Sequence, residues 1–254
     1  LTSSYVELHC HSNYSFKEGA SSLEELLLRA KELGYPALAL TDHDNLCAAM
    51  EFSRIANSLD IKPITGAEVT LKDGSHLTLL AETRQGYSNL CNLITRSRMG
   101  GSGDRMDPRL DPVRLSDHAE GLILLTGCSK GRVPRYITEG RLDDAEDELR
   151  RYIEWFGSDN VFVEMQQNLV YGDTARNRQL LFLARKVGAS IVATNNVHYH
   201  VPERHRLQDA LVAIQHNKSL EESHRERRPN ANFYLKSPGQ MAALFQKLPE
   251  AIYN

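Results

Sequence analysis

Glu7-Leu8-His9-Cys10-His11-Ser12 ends the first apolar run of the chain, and its reading decides the fold. Alternate side chains of an extended segment share a face, so His9 and His11 point one way and Cys10 the other. Three later strings repeat the design: Thr41-Asp42-His43-Asp44, Gly66-Ala67-Glu68 and Asn195-Asn196-Val197-His198. Each follows or sits in an apolar run that reads as a β-strand. Histidines and carboxylates delivered by the ends of successive strands are how a parallel α/β barrel assembles a metal site. A lone His-x-His is equally served by two hydrogen-bonded imidazoles, and Glu68 by a salt bridge. Their joint occurrence after apolar strands is what favours a metal.

Outward from these strings, strand and helix signals alternate. Tyr5 to His9 reads as a strand. Ser22 to Leu33 is an amphipathic helix: Ser22 caps it, Glu25 completes a capping box and Gly34 ends it. Ala37 to Thr41 is a strand, after which Asp44 is expected to cap a helix from Asn45 to Ser58. Lys62 to Leu71 and His76 to Ala81 are strands joined by the turn Lys72-Asp73-Gly74. Gly86 to Arg98 is helical, and Gly100 to Pro112 is a polar loop. Leu122 to Thr126, Val161 to Gln166 and Ile191 to Asn195 are strands. Leu142 to Phe156, Ala175 to Val187 and Pro202 to His216 are helices, and another starts at Ser237-Pro238. The repeated β-then-α order predicts a parallel sheet with helices outside.

The 254 residues suit one α/β barrel, and 41% hydrophobic with 25% charged residues is ordinary for a globular protein. We therefore expect a single domain over residues 1–254. The chain opens on Leu1 rather than Met and closes on Pro249 to Asn254 without a clear helix stop, which suggests a piece of a longer polypeptide. No apolar stretch is long enough to span a bilayer and no signal peptide is visible, so the expectation is a cytoplasmic protein without a membrane partner. A net charge of −3 argues against a free-standing DNA-binding domain. Cys10, Cys47 and Cys91 read as buried free thiols. His118, His205, His216 and His224 lie in polar stretches and read as solvated, while His200 is close enough to His198 to be an outer partner. Asp42 is placed to orient an imidazole. Arg98, Arg105 and Arg109, and the run Arg225-Glu226-Arg227-Arg228, read as solvated charge, with the first three also candidates for a DNA backbone.

The strings HCHS, TDHD, GAE and NNVHYH resemble the PHP (polymerase and histidinol phosphatase) domain, over about Tyr5 to Leu248. The segments His11 to Ala20, Leu79-Leu80-Ala81 with Gly86-Tyr87-Ser88-Asn89-Leu90, and Leu125-Thr126-Gly127-Cys128 are similar to the N-terminal PHP domain of bacterial C-family DNA polymerases. HCHSNYSF is most similar to the error-prone branch. The resemblance implies a distorted (β/α)7 TIM-like barrel holding up to three divalent metal ions, Zn or Mn, with Mg also accepted. Carried over residue by residue, the ligands are His9, His11, Glu18, His43, Glu68, His76, Cys128, Asn196 and His198. His9, His11, His43, Glu68 and His198 take the catalytic roles.

Two positions depart from the family pattern. Glu18 stands where Asp is usual, which moves a carboxylate by one methylene. Asn196 stands where Asp is expected, and a neutral amide cannot act as a bridging anion. Cys128 is either a thiolate ligand favouring Zn²⁺ or a small buried residue. Three functions follow from the resemblance: a metal-dependent phosphoesterase acting as a 3′–5′ exonuclease on DNA for a polymerase, an inactive scaffold bracing the polymerase domains, and a free histidinol-phosphatase-like enzyme. Any polymerase site lies outside these residues.

Overall fold

In the computed structural model, which describes residues 5–99 and 107–254, six strands form one sheet in the order β1-β2-β3-β4-β5-β6. They are β1 (Ala37–Leu40), β2 (Lys62–Thr70), β3 (His76–Ala81), β4 (Leu122–Leu125), β5 (Val161–Gln166) and β6 (Ser190–Thr194). The helices are α1 (Leu23–Glu32), α2 (Ala49–Ser58), α3 (Arg84–Met99), α4 (Val113–Ser116), α5 (Arg132–Thr138), α6 (Leu142–Phe156), α7 (Asp173–Val187), α8 (His205–Gln215), α9 (Pro238–Leu244) and α10 (Glu250–Tyr253). The fold is a mixed α/β, distorted TIM-like barrel.

The expectation of an all-parallel sheet fails at one strand. The turn Lys72-Asp73-Gly74 is too short for a crossover, so β3 folds back antiparallel on β2 and also pairs antiparallel with β4. The other pairs are parallel. Tyr5 to His9 does not form a ladder of its own. Residues 7–11 instead run extended between the first and last strands. Ala39 N–H bonds Glu7 O at 2.9 Å and Thr41 N–H bonds Cys10 O at 2.8 Å on one side. On the other, Val197 N–H bonds His9 O and His11 N–H bonds Val197 O, each at 2.8 Å. This segment closes the curled sheet and places His9 and His11 at the seam.

Local signals explain two helix starts. In α1 the Ser22 hydroxyl accepts from Glu25 N–H while the Glu25 carboxylate accepts from Ser22 N–H, and Gly34 follows at φ +75°. Leu26 and Leu27 of this helix are fully buried, each contributing about 1.5–3 kcal/mol of burial. Ser237 and Gln240 build the same box on α9. Asp44 does not cap a helix. It takes a left-handed φ of +51°, and its carboxylate accepts from Thr70 N–H at 2.8 Å and Thr70 O–H at 2.6 Å, so α2 begins only at Ala49. Helices α4 and α5 were not anticipated from sequence.

Other expectations also need correction. Cys47 is exposed and Cys91 half-buried, while Cys10 is buried as expected. His118 is buried, with Nδ1 3.0 Å from Arg114 O, rather than solvated. Among the described residues no helix is long and apolar enough to cross a membrane.

Candidate metal centre

Glu68 is the hub of the site. It stands on β2, is 2% exposed, and faces imidazoles with both oxygens. Oε1 lies 3.4 Å from His9 Nε2 and 3.2 Å from His76 Nδ1, and Oε2 lies 3.5 Å from His11 Nε2 and 3.0 Å from His43 Nδ1. Two triads therefore share this carboxylate, His9-His11-Glu68 and His43-Glu68-His76, with ligand atoms of each within 4.8 Å of one another. His9 Nε2, His11 Nε2 and Glu68 Oε1 are buried and make no hydrogen bond. A buried polar atom without a partner is costly, and three aimed at one point fit a cation.

The rings are held for that purpose. Glu164 of β5 lies 2.6 Å from His9 Nδ1, and the same Oε1 accepts from Gln166 Nε2 at 2.7 Å and from the Thr194 hydroxyl. His9 Nδ1 therefore carries the hydrogen, leaving Nε2 toward the site. At His11, the one hydroxyl hydrogen of Ser15 goes to Asp42 Oδ1 at 2.7 Å. Ser15 Oγ must then accept from His11 Nδ1–H at 3.1 Å, which again frees Nε2. Asp42 thus orients an imidazole through a serine rather than directly. Thr70 donates to Asp44 and accepts from His43 Nε2–H at 2.9 Å, turning His43 Nδ1 to Glu68.

The carboxylates that orient the rings also hold protons on them, which an ion must displace. Burial pushes the His9 pKa down, but Glu164 and Glu68 more than offset this and hold it at about 10. Burial likewise opposes the His43 proton, yet the Glu68 hydrogen bond and charge hold that pKa at about 9. Burial would raise Glu68, but His76 and His9 keep it well below the usual carboxylate range. His11 and His198 are pushed well below the ordinary imidazole value, chiefly by burial.

The remaining expected ligands stand further out. Cys128 Sγ is 3.9 Å from His76 Nδ1, and burial and the Glu68 charge push its thiol pKa well up. His198 stacks on His11 with centroids 4.5 Å apart. Its Nδ1–H donates to Glu18 O at 3.3 Å, and Asn196 faces its Nε2 at 2.9 Å. Glu18 is half-buried at the mouth, with Asn196 in the wall of a cavity of about 500 Å³ that also reaches Glu68, His76 and Cys128. His200 bonds Ser21 Oγ at 2.7 Å and takes no part.

Sequence reasoning missed three residues. Glu164 carried the same signal as Glu68, an acid inside an apolar strand. Ser15 carried none. Arg228, read as solvated charge, is half-buried in the cavity wall, lies 4.4 Å over the Phe233 ring and donates to His198 Nε2. Neither Arg98 nor Arg109 lines the cavity: Arg98 donates to Asp44 O at 2.8 Å and Arg109 pairs with Asp107 at 2.8 Å, while Arg105 lies outside the described residues.

A family profile described as the PHP domain matches residues 7–168, which hold both triads and Glu164. The chain belongs to the PHP domain family. Over 99% of its length this PHP domain is 40% identical to an error-prone DNA polymerase of Symbiobacterium thermophilum and 38% identical to a DNA polymerase III subunit alpha of Treponema pallidum. It spans only 24% and 22% of those relatives. A solved structure from Bifidobacterium adolescentis, assigned as a metal-dependent phosphoesterase, aligns with 76% of the PHP domain and 87% of its own chain. Its TM-score is 0.53 at 13% identity, which shows a shared fold.

Proposed function

We propose that this PHP domain is a metal-dependent phosphoesterase within a bacterial error-prone or III-alpha-type DNA polymerase, acting as a 3′–5′ exonuclease on the DNA end. The observation that carries it is the convergence of His9 Nε2, His11 Nε2 and Glu68 Oε1, buried and unpaired. His9, His11 and Glu68 would hold one divalent ion, and His43, Glu68 and His76 a second, with Cys128 beside it. Five nitrogen and carboxylate donors suit Zn²⁺ or Mn²⁺. Ions bound there would acidify an attacking water and neutralise charge on the phosphoryl oxygens. The chain's own part is orientation: Glu164 aims His9, Asp42 through Ser15 aims His11, and Asp44 through Thr70 aims His43. His198 closes the wall behind His11. Lys130, Arg176 and Arg225 line the cavity and would draw in a phosphate backbone.

A second reading, a scaffold domain with a decayed centre, draws on Asn196. One experiment separates the two. Single-stranded DNA labelled at its 5′ end is incubated with Mn²⁺ and wild type or His9→Ala. Stepwise shortening by wild type, abolished in the variant, is expected. Equal cleavage by both would overturn the exonuclease reading, and no cleavage by metal-loaded wild type would favour the scaffold. Preference for a small phosphomonoester would point to a phosphatase.

A further inference from the structure

Resting on the metal reading, the structure does not fit a third ion: we infer that Arg228 is the resident cation of that position and that the centre is binuclear. Outside the two triads the expected ligands include Glu18, Asn196 and His198; Asn196 Oδ1 and His198 Nε2 lie 2.9 Å apart, and Glu18 meets His198 through its main-chain oxygen. His198 Nδ1–H is committed to Glu18 O, so Nε2 holds the lone pair that an ion would need. The Arg228 guanidinium donates to that lone pair. Asn196 Oδ1 faces the same nitrogen at 2.9 Å, so two acceptor atoms meet where the guanidinium enters.

Arg228 is built in rather than passing through. Its guanidinium stacks 4.4 Å over Phe233, its Nε is buried without a hydrogen bond, and among the described residues no carboxylate lies within 4.0 Å of it. Glu18 and Glu68 supply the nearest compensating charge. Asn196 and Arg228 balance in charge. Asn in place of Asp removes one negative charge, and a guanidinium in place of a divalent ion removes one positive charge. The field on the other two positions is thereby kept. A guanidinium cannot acidify a water as a divalent ion does, but its fork can take phosphate oxygens.

The test is metal stoichiometry. Purified protein is equilibrated with excess Mn²⁺, dialysed and measured by inductively coupled plasma mass spectrometry, alongside the double variant N196D/R228Q. Wild type is expected to retain about two ions per chain, and the double variant about three. About three in wild type would overturn the inference while leaving the metal reading intact, and needs no variant to fold. Two in both, with the variant's melting unchanged, would show that Arg228 is not what excludes the third. None in wild type would instead refute the metal reading itself.

Discussion

Replacing Glu164 by Gln should weaken metal binding by about 10–100-fold without disturbing the fold. Glu164 Oε1 accepts all three of its bonds, from His9, Gln166 and Thr194, while Oε2 makes none. A glutamine carbonyl in the Oε1 position keeps those bonds and removes the charge, while its amide N–H₂ stands unpaired at the buried Oε2 position, a cost of about 1–3 kcal/mol that the fold control reads. The magnitude follows from His9. Its pKa is held at about 10 against an ordinary 6.5 despite burial, so the two carboxylates strengthen proton binding by at least roughly a thousandfold. Glu164, at 2.6 Å against 3.4 Å for Glu68, is the nearer of the two. It supplies about half of this on a logarithmic scale, or roughly 50-fold. A divalent ion on the same nitrogen feels the carboxylate about twice as strongly as a proton does. Exchange of proton for metal therefore retains one such factor in the metal's favour. Competition with a chromophoric chelator at pH 7.5, with circular dichroism as the fold control, measures it. Affinity within twofold of wild type would refute the reasoning.

Three further outcomes are expected. Because His9 and His43 have pKa values of about 10 and 9 in the free site, Mn²⁺ loading at pH 7.5 should release protons and tighten as pH rises toward 9. Titration calorimetry in buffers of different ionisation enthalpy reads the release, and none would contradict the assignment. Lys236 is 4% exposed and burial lowers its pKa from 10.5 to about 8. The unfolded chain then binds more protons at this lysine between those values, so the Lys236 contribution to stability should rise with pH across that window by up to about 3 kcal/mol. His9 and His43, whose pKa values are raised, pull the stability of both proteins down over the same range, so the readout is the difference: the urea midpoint of wild type relative to K236M should climb between pH 8 and 10.5. A Cβ on Gly19 would stand 1.9 Å from Ser12 O, so G19A must displace the turn carrying Ser15 and Glu18. Its melting temperature and Mn²⁺ content should both fall, and unchanged metal content would separate the turn from the site.

What was legible in sequence had a local cause. Ser22 with Glu25 and Ser237 with Pro238 announce helix starts because each signal closes within four residues. His9, His43 and Glu68 were legible because polar side chains ending apolar runs need a partner. Asp44 misled because a cap and a tertiary acceptor look alike until β2 delivers Thr70 to it. The reversal of β3 was written in the shortness of the turn Lys72-Asp73-Gly74, which the regular β-then-α rhythm obscured. Ser15 and Arg228 were illegible because their roles depend on Asp42, some 27 residues away, and His198, some 30 away. No local pattern encodes such pairings.

Residues 7–11 have a kinetic consequence. Their bonds to Val197, and the bonds of Asn195 N–H to the Glu7 carboxylate, join stretches 188 residues apart in the chain. Such long loops close late in folding, so the barrel is expected to shut last along this line and to breathe first there. His9 and His11 ride on it, and Glu68 does not. An ion gripped by all three binds the shut form alone and slows breathing by mass action. Amide exchange at His11 and Val197 is therefore the clock on which metal occupancy should be visible, long before global melting moves.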